Sequence, residues 1–156
     1  MVSSPPTLRT ETSWARSNLI SMAVPKLVTA AIVFDKDEEN ILLVLNKRDP
    51  ENTRYGFPGG AGGWKKYTNP YEAVIEEVRG DVGCEFTGKF YKCSFREDEE
   101  SVVTLFFFGT IMGQPHPVCG NIKDVKYFPL DEARKMDLTY EHNQMLEELL
   151  ENKAQK

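Results

Sequence analysis

The sequence has few of the residues that build disulfide frameworks or structural metal sites. Its three cysteines, Cys84, Cys93 and Cys119, are odd in number, and none belongs to a C-x-x-C pair. This pattern argues against a disulfide framework and against a structural zinc site, and it favours a reducing cytoplasm. The two histidines, His116 and His142, are far apart in sequence and give no reason to infer a metal site or a catalytic dyad.

Long apolar runs are also absent. The longest, residues 102–112, falls short of the ~20 residues that cross a bilayer. We therefore interpret it as a buried strand and expect no membrane partner. Residues 1–25 contain Glu11 and no continuous apolar stretch, which argues against a signal peptide and leaves a short transit sequence open. We expect an N-terminal arm over residues 1–25 and one domain over residues 26–153.

The overall composition is that of an ordinary globular protein. Hydrophobic residues make up 40% of the chain and charged residues 28%, with a net charge of -5. A negative chain favours neither nucleic-acid phosphate nor an anionic membrane as a bulk partner. Any phosphate that the protein binds must therefore be bound by a local group of residues.

Predicted strands outnumber predicted helices. Apolar and β-branched patterns predict strands over residues 26–35, 41–49, 84–95, 102–112 and 125–130, with "KDEEN" as the turn of a first hairpin. Helices are predicted over residues 70–82 and 140–152. This arrangement is typical of an α/β or α+β fold in which a mixed sheet is covered on both faces.

The first predicted helix has clear start and stop signals. Asn69 is suited to the N-cap, Pro70 to the first helical position, and Glu72 to a reciprocal contact with the cap. Gly83 then ends the helix.

Two carboxylates stand together on this helix. Val74, Val78 and Val82 form its core face, and Glu77 and Asp81, four residues apart, lie along the edge of that face. Neighbouring carboxylates repel each other unless a cation or a proton lies between them. Mg²⁺ is typically bound by one or two carboxylates together with water and substrate phosphate oxygens. The pair therefore predicts a magnesium site.

A glycine-rich turn precedes the helix. In "GFPGG", the glycines at positions 59 and 60 lack a Cβ, so main-chain groups can approach an ion or a phosphate closely. The P-loop motif G-x-x-x-x-G-K-[ST] is absent, because Lys65 is followed by Lys66 rather than by Ser or Thr. A dinucleotide-binding G-x-G-x-x-G that opens directly into a helix is absent as well.

The stretch resembles the Nudix box, G-x5-E-x7-R-E-U-x-E-E-x-G-U, in which U is a bulky apolar residue. Counting back from Gly83, Asp81 stands at the second Glu of the E-E pair and Glu77 at the Glu of R-E. "YGFPGG" resembles the segment that leads into the box, and "VKYFPLDEA" resembles a downstream aromatic-Pro-Leu segment. The similarity covers roughly residues 27–150 and implies a Nudix-like α/β/α sandwich, with a mixed β-sheet flanked by helices.

The box departs from the family pattern at three positions. Glu76 replaces the arginine, Gly80 replaces a metal-binding glutamate, and Thr68 stands where an upstream glutamate belongs. Fewer charged ligands make a looser metal site, so we expect a weakened magnesium site. Glu72, Glu76 or a carboxylate of residues 97–100 are candidates to compensate as a ligand or a general base.

The resemblance implies a hydrolase, a Mg²⁺-dependent pyrophosphatase that can also use Mn²⁺. Water would attack a phosphorus of a nucleoside diphosphate linked to another group. Glu77 and Asp81 are the candidate catalytic residues and, with Gly60, the candidate metal ligands. The candidate substrate-binding residues are Arg48, Tyr55, Lys65 and Lys66, with Tyr55 suited to stacking on a base.

Other interpretations stay open for the same residues. Glu77 and Asp81 can be a solvated helix face, Lys65 and Lys66 a polar loop, and Tyr55 a packing residue. The whole chain can be a catalytically silent Nudix-fold module that binds a nucleotide or a protein. It can also act on an isoprenoid or sugar diphosphate. The sequence leaves the oligomeric state open, a homodimer included.

Overall fold

A computed structural model of the chain describes residues 25–47, 53–61, 69–97 and 100–154. Residues 1–24 lie outside these ranges, so the division into an arm and a domain stays a prediction. None of the helices in the described ranges is long and apolar enough to cross a membrane. The three cysteines are free, as their number and spacing predicted.

The described residues form a mixed sheet and three helices. The strands are β1 (Lys26–Phe34), β2 (Asn40–Asn46), β3 (Tyr55–Gly56), β4 (Gly59–Gly60), β5 (Glu85–Glu97), β6 (Ser101–Met112) and β7 (Ile122–Pro129). The helices are α1 (Pro70–Val82), α2 (Leu130–Lys135) and α3 (His142–Ala154). The five predicted strands and both predicted helices are therefore confirmed, with small shifts at their ends. The short elements β3, β4 and α2 were not predicted.

The first two strands separate soon after their turn. Asp35 holds this turn, because its Oδ1 accepts the Glu39 N–H at 2.9 Å. β1 and β2 then pair only at Val33 with Leu42 and at Phe34 with Ile41. Beyond these pairs β4 lies beside β1 and β3 lies beside β2. The separation of the two strands makes room for the glycine-rich turn inside the sheet.

The other strands extend the sheet on both sides of this gap. β6 runs parallel to β1 over eight registered pairs, from Lys26 with Val102 to Val33 with Gly109. β5 pairs antiparallel with β6, and β7 pairs antiparallel with β2. The sheet is therefore mixed, as the sequence predicted.

Two hydrophobic cores cover the two faces of the sheet. Alternate side chains of β1 and β2 point into different cores: Ile32 and Leu43 pack toward α3, and Val33 and Leu42 pack toward α1. All four side chains are fully buried. This burial explains why both strands are continuously apolar in sequence. The result is an α/β/α sandwich, the architecture that the Nudix resemblance implied.

Both predicted ends of α1 are confirmed. The Asn69 side chain accepts the Glu72 N–H at 2.9 Å and donates to the Glu72 carboxylate at 3.0 Å. Gly83 follows the helix in the left-handed region, at φ 75. A Cβ at position 83 would lie 2.7 Å from the His116 ring, so both conformation and space favour glycine there.

The N-cap gives a first prediction. Replacing Asn69 with Ala removes the acceptor of the Glu72 N–H, so the free energy of unfolding should fall by about 1 kcal/mol. Asn69→Asp keeps an acceptor and should stay close to the parent. Urea denaturation of the three proteins measures the effect, and an Asn69→Ala protein as stable as the parent would contradict the capping role.

Candidate active site

The glycine-rich turn lies in the gap between β1 and β2. Gly59 pairs with Ala30 and Gly60 with Thr29, and the Ala31 N–H donates to the Pro58 carbonyl at 2.9 Å. A Cβ at position 59 would lie 2.2 Å from the Thr29 carbonyl oxygen. Only glycine allows this close approach of two backbones, so the turn is built into the sheet rather than laid over it.

The helix edge and the turn meet as predicted. The Gly59 N–H donates to Asp81 Oδ2 at 3.0 Å, and Asp81 is only 8% exposed. A Cβ at position 60 would lie 2.8 Å from Glu77 Oε2, so the carboxylate of Glu77 packs directly against the glycine backbone. The structure thus brings together Gly60, Glu77 and Asp81, the three candidate metal ligands.

A buried hydroxyl lies on the same side of the sheet. Paired residues of an antiparallel ladder present their side chains to one face, so Thr29 shares the face on which Glu77 meets Gly60. Thr29 is fully buried, and its hydroxyl has no hydrogen-bond partner within the described ranges. A buried polar group of this kind calls for an ion, a water or a ligand.

These groups fit a divalent cation that is shared with a substrate. Within the described ranges no group of three or more His, Cys, Asp or Glu side chains is placed to hold a metal. Two carboxylates beside a glycine turn are nevertheless the minimal protein contribution to a Mg²⁺ site that substrate phosphates and water complete. The donor set therefore suits an ion that arrives with its substrate better than one bound by the protein alone.

The neighbouring glutamates of the helix have other partners. Glu76 forms an ion pair with Arg79 at 2.5 Å, and Arg79 also binds Glu85. Glu72 is engaged in the N-cap of the helix. These contacts hold both side chains to neighbours on the helix or its cap, and their compensation for the missing carboxylate at position 80 stays a prediction.

A cavity of about 220 Å³ opens beside the turn. Its lining residues come from the turn, the end of α1 and the start of α3, and Phe57 is among them. Its wall contains acidic and basic side chains, which suits a ligand that carries both charged and polar groups. They are Lys26, Arg54, Asp81, Arg96, Glu100 and Glu141.

The far end of the cavity carries an ion pair and an exposed aromatic ring. The Arg96 guanidinium lies 4.1 Å from the centre of the Tyr140 ring and 4.0 Å from the Glu141 carboxylate. Tyr140 is 53% exposed and has a left-handed backbone, at φ 50. A strained backbone beside a cavity is typical of ligand sites.

Among the described residues of the acidic segment 97–100, Glu100 lines the cavity. Glu100 lines the cavity near Lys26, with which it forms an ion pair at 3.9 Å. Lys26 stands three strand positions before Thr29, which places it ~10 Å from the Gly60 backbone. Glu100 thus lines the cavity beside Lys26, and its role as a compensating ligand or base stays a prediction. Residues 98 and 99 lie outside the described ranges.

Only one of the four candidate substrate-binding residues, Tyr55, lies within the described ranges. Arg48, Lys65 and Lys66 lie outside the described ranges, so their roles stay predictions. Tyr55 is not among the residues that line the cavity. Its hydroxyl donates to Asp124 Oδ2 at 2.5 Å, and chiefly this bond raises its pKa to about 12. Tyr55 packs edge-on against Phe128, so stacking on a base is not apparent from its contacts.

Several residues of the cavity were not predicted. Arg54, Arg96, Tyr140, Glu141 and His142 all line it, and the sequence pattern singled out none of them. A lone arginine or histidine carries no local signal of its role. Only the fold, which brings the start of β3, the end of β5 and the start of α3 to one cavity, reveals their relation.

His142 contacts the turn directly. The Phe57 N–H donates to His142 Nδ1 at 3.1 Å, and the two rings are stacked with centroids 4.4 Å apart. Burial, together with the positive charge of Arg96, lowers the pKa of His142 to about 3. The imidazole is therefore neutral at physiological pH, with its single proton on Nε2.

The family model described as NUDIX domain matches residues 24–149. The chain belongs to the Nudix family. No curated protein sequence matches this Nudix chain significantly.

Solved structures confirm the Nudix fold. The MutT NUDIX hydrolase from Burkholderia pseudomallei is 24% identical with a TM-score of 0.68, over 80% of this chain and 97% of that one. The NUDIX domain of Shewanella oneidensis NrtR, complexed with ADP ribose, is 20% identical with a TM-score of 0.68, over 85% and 90%. A bifunctional NMN adenylyltransferase/ADP ribose pyrophosphatase from Francisella tularensis is 19% identical with a TM-score of 0.70, over 90% and 45%.

The buried histidine gives a prediction about pH. Its pKa is lower in the folded chain than the 6.5 of an unperturbed histidine, so the unfolded chain binds the additional proton as the pH falls below 6.5. The parent should therefore lose stability relative to a His142→Phe variant as the pH falls from 6.5 toward 3. The slope should be at most about 1.4 kcal/mol per pH unit.

Urea denaturation at pH 7, 6, 5 and 4 measures this difference. The charged groups near the ring are Arg96 on β5 and Glu141, which precedes His142 in the chain. Both proteins retain them, so their own titration largely cancels in the difference. A stability difference that is constant with pH would contradict the neutral, buried histidine.

Proposed function

We propose that this Nudix chain is a divalent-cation-dependent diphosphatase that acts on a nucleoside diphosphate linked to another group. The observation that carries the proposal is the contact of the Gly60 backbone with the Glu77 carboxylate, beside the Asp81 bond to Gly59. Nudix hydrolases generally use divalent cations, and this is where the chain presents carboxylates to a turn that a phosphate can approach. A reducing cytoplasm remains the expected location, in keeping with three free cysteines.

The chain's own part in the reaction is positioning and charge. Glu77 and Asp81 would hold Mg²⁺ or Mn²⁺, and a bound cation neutralises phosphate charge and lowers the pKa of an attacking water. The new bond joins the water oxygen to one phosphorus, and the bridging P–O bond breaks with its electron pair on the leaving phosphate. The proton of the water passes to a base that the described residues do not identify.

The size and lining of the cavity support an extended substrate. Arg96 pairs with Val102 and therefore lies level with Lys26 in the sheet. Measured along the strands, this level is ~10 Å from the turn. A diphosphate held at the turn would place its attached group near Arg96 and Tyr140. The planar guanidinium group of arginine and the phenol ring of tyrosine both stack on planar groups such as a base. The ADP ribose bound to the Shewanella oneidensis domain is a compound of this general class.

The metal site gives the central prediction of this proposal. Glu77→Gln removes one of the two charged donors, so we expect kcat/KM to fall at least about tenfold, and the half-saturating Mg²⁺ concentration to rise. Asp81→Asn should act similarly. Glu76→Gln is the matched control, because Glu76 lies on the same helix but binds Arg79 instead of facing the turn. It should stay within about twofold of the parent.

Substrates for this experiment are nucleotide sugars, dinucleotides, nucleoside triphosphates and a sugar diphosphate, each with excess Mg²⁺. Phosphate-containing products are the readout. Turnover that needs no divalent cation, or that is unchanged in Glu77→Gln, would overturn the proposal.

A catalytically silent binding module is the second candidate, and Gly80 favours it. This position is exposed, no atom beyond the helix's own backbone lies within 4 Å of a Cβ built there, and the family's carboxylate is missing from it. The chain can therefore have kept the cavity while losing a strong metal site.

Substitution at Gly80 separates the two candidates. Gly80→Glu and Gly80→Gln both fit the open space, and both should stabilise the helix by about 0.5–1 kcal/mol over glycine. Only the glutamate adds a charge, so a weakened but active site predicts at least severalfold tighter Mg²⁺ dependence in Gly80→Glu alone. Hydrolysis that is absent from the parent and present in Gly80→Glu would instead support the silent module.

A further inference from the structure

The start of α3 is attached to the glycine-rich turn at two points. The Thr139 N–H donates to the Tyr55 carbonyl at 2.8 Å, and the Phe57 N–H donates to His142 Nδ1 at 3.1 Å. The second bond joins residues 85 positions apart in sequence and is buried. A segment of the C-terminal region therefore supplies the hydrogen bonds on both sides of Gly56.

The side chains at this contact leave little freedom. The His142 and Phe57 rings are stacked with an interplanar angle of 8°, and the edge of His142 meets Phe106 with centroids 5.7 Å apart. A Cβ at position 56 would lie 2.4 Å from Thr139 Cγ2 and 2.9 Å from His142 Nδ1. The imidazole is thus fixed by packing on three sides, and it fixes Phe57 in turn.

The turn is held from three directions over a few residues. His142 on α3 binds Phe57, Ala31 on β1 binds Pro58, and Asp81 on α1 binds Gly59. The peptide between Phe57 and Gly60 is too short to absorb a shift at one end without moving the other. We therefore expect a change at His142 to shift the Gly60 backbone that packs against Glu77.

We propose that His142 is a positioning residue for the active site. By accepting the Phe57 N–H and stacking on its ring, it sets the place of Gly59 and Gly60 relative to Asp81 and Glu77. This inference rests on the proposed function for its consequence in catalysis, but the geometry that it claims can be measured without substrate or metal. His142 is not itself assigned a contact with the reacting phosphorus.

The role depends on the acceptor as well as on the ring. His142→Phe keeps an aromatic ring but leaves the buried Phe57 N–H without an acceptor. His142→Asn loses the ring but carries an amide oxygen that can replace Nδ1. Leu149→Ala is the matched control, because it truncates a buried side chain of the same helix and the same core that cannot form a hydrogen bond with the turn.

Nuclear magnetic resonance of the metal-free proteins provides the first readout. In His142→Phe we expect the Phe57 amide to exchange with solvent at least about tenfold faster relative to core amides, because its acceptor is gone. The Gly59 and Gly60 amide resonances should move in the same variant. His142→Asn should restore most of the Phe57 protection, and Leu149→Ala should leave the glycine resonances in place.

Mn²⁺ titration and kinetics provide the second readout. His142→Phe should weaken the apparent metal affinity and lower kcat more than it changes KM, with partial rescue in His142→Asn. Glycine resonances that stay unchanged in His142→Phe, or that move equally in Leu149→Ala, would overturn the positioning role.

If His142→Phe does not fold, a measurement on the parent protein still tests the proposal. Its imidazole nitrogen resonances should show Nδ1 unprotonated and Nε2 protonated from pH 5 to pH 8. A protonated Nδ1 would exclude the bond from Phe57 and end the proposal. If the resonances change as expected but no substrate is hydrolysed, the result contradicts the proposed function and not the positioning role.

Discussion

The structure depends on one steric constraint, the close passage of a glycine turn between two diverging strands. β1 and β2 separate after two pairs, and the turn enters the gap with Gly59 against the Thr29 carbonyl. Any side chain at position 59 would force the strands apart or expel the turn. Because the turn is part of the sheet, its backbone is held in the ladder of β1, and the carboxylates of α1 lie against it.

The electrostatics of the site follow from this packing. Asp81 is nearly buried, and its bond to the Gly59 N–H gives one carboxylate oxygen a fixed place. Glu77 lies against the Gly60 backbone. Carboxylates held this close are stabilised by a cation, and a phosphate stabilises that cation in turn. Because position 80 carries no third carboxylate, the phosphates of a substrate contribute a larger share of the negative charge around a bound cation.

Local patterns predicted the parts of the fold that local chemistry determines. Asn69 and Gly83 marked both ends of α1 because capping depends on neighbouring residues, and the spacing of Glu77 and Asp81 placed them on one edge. The strands β3 and β4 were missed because two residues carry no periodicity, and their pairing depends on the separation of β1 from β2. The roles of Arg96 and His142 depend on contacts distant in sequence, which no spacing rule could reveal.

The most direct test of this account is a crystal structure of the chain with Mn²⁺ and a non-hydrolysable nucleoside diphosphate derivative. Anomalous scattering from manganese locates the ion without reference to any assumed ligand. The account predicts one ion within coordination distance of Glu77 and Asp81, with phosphate oxygens beside the Gly59–Gly60 backbone. A bound diphosphate with no ion at these carboxylates, or an ion bound elsewhere in the cavity, would contradict it.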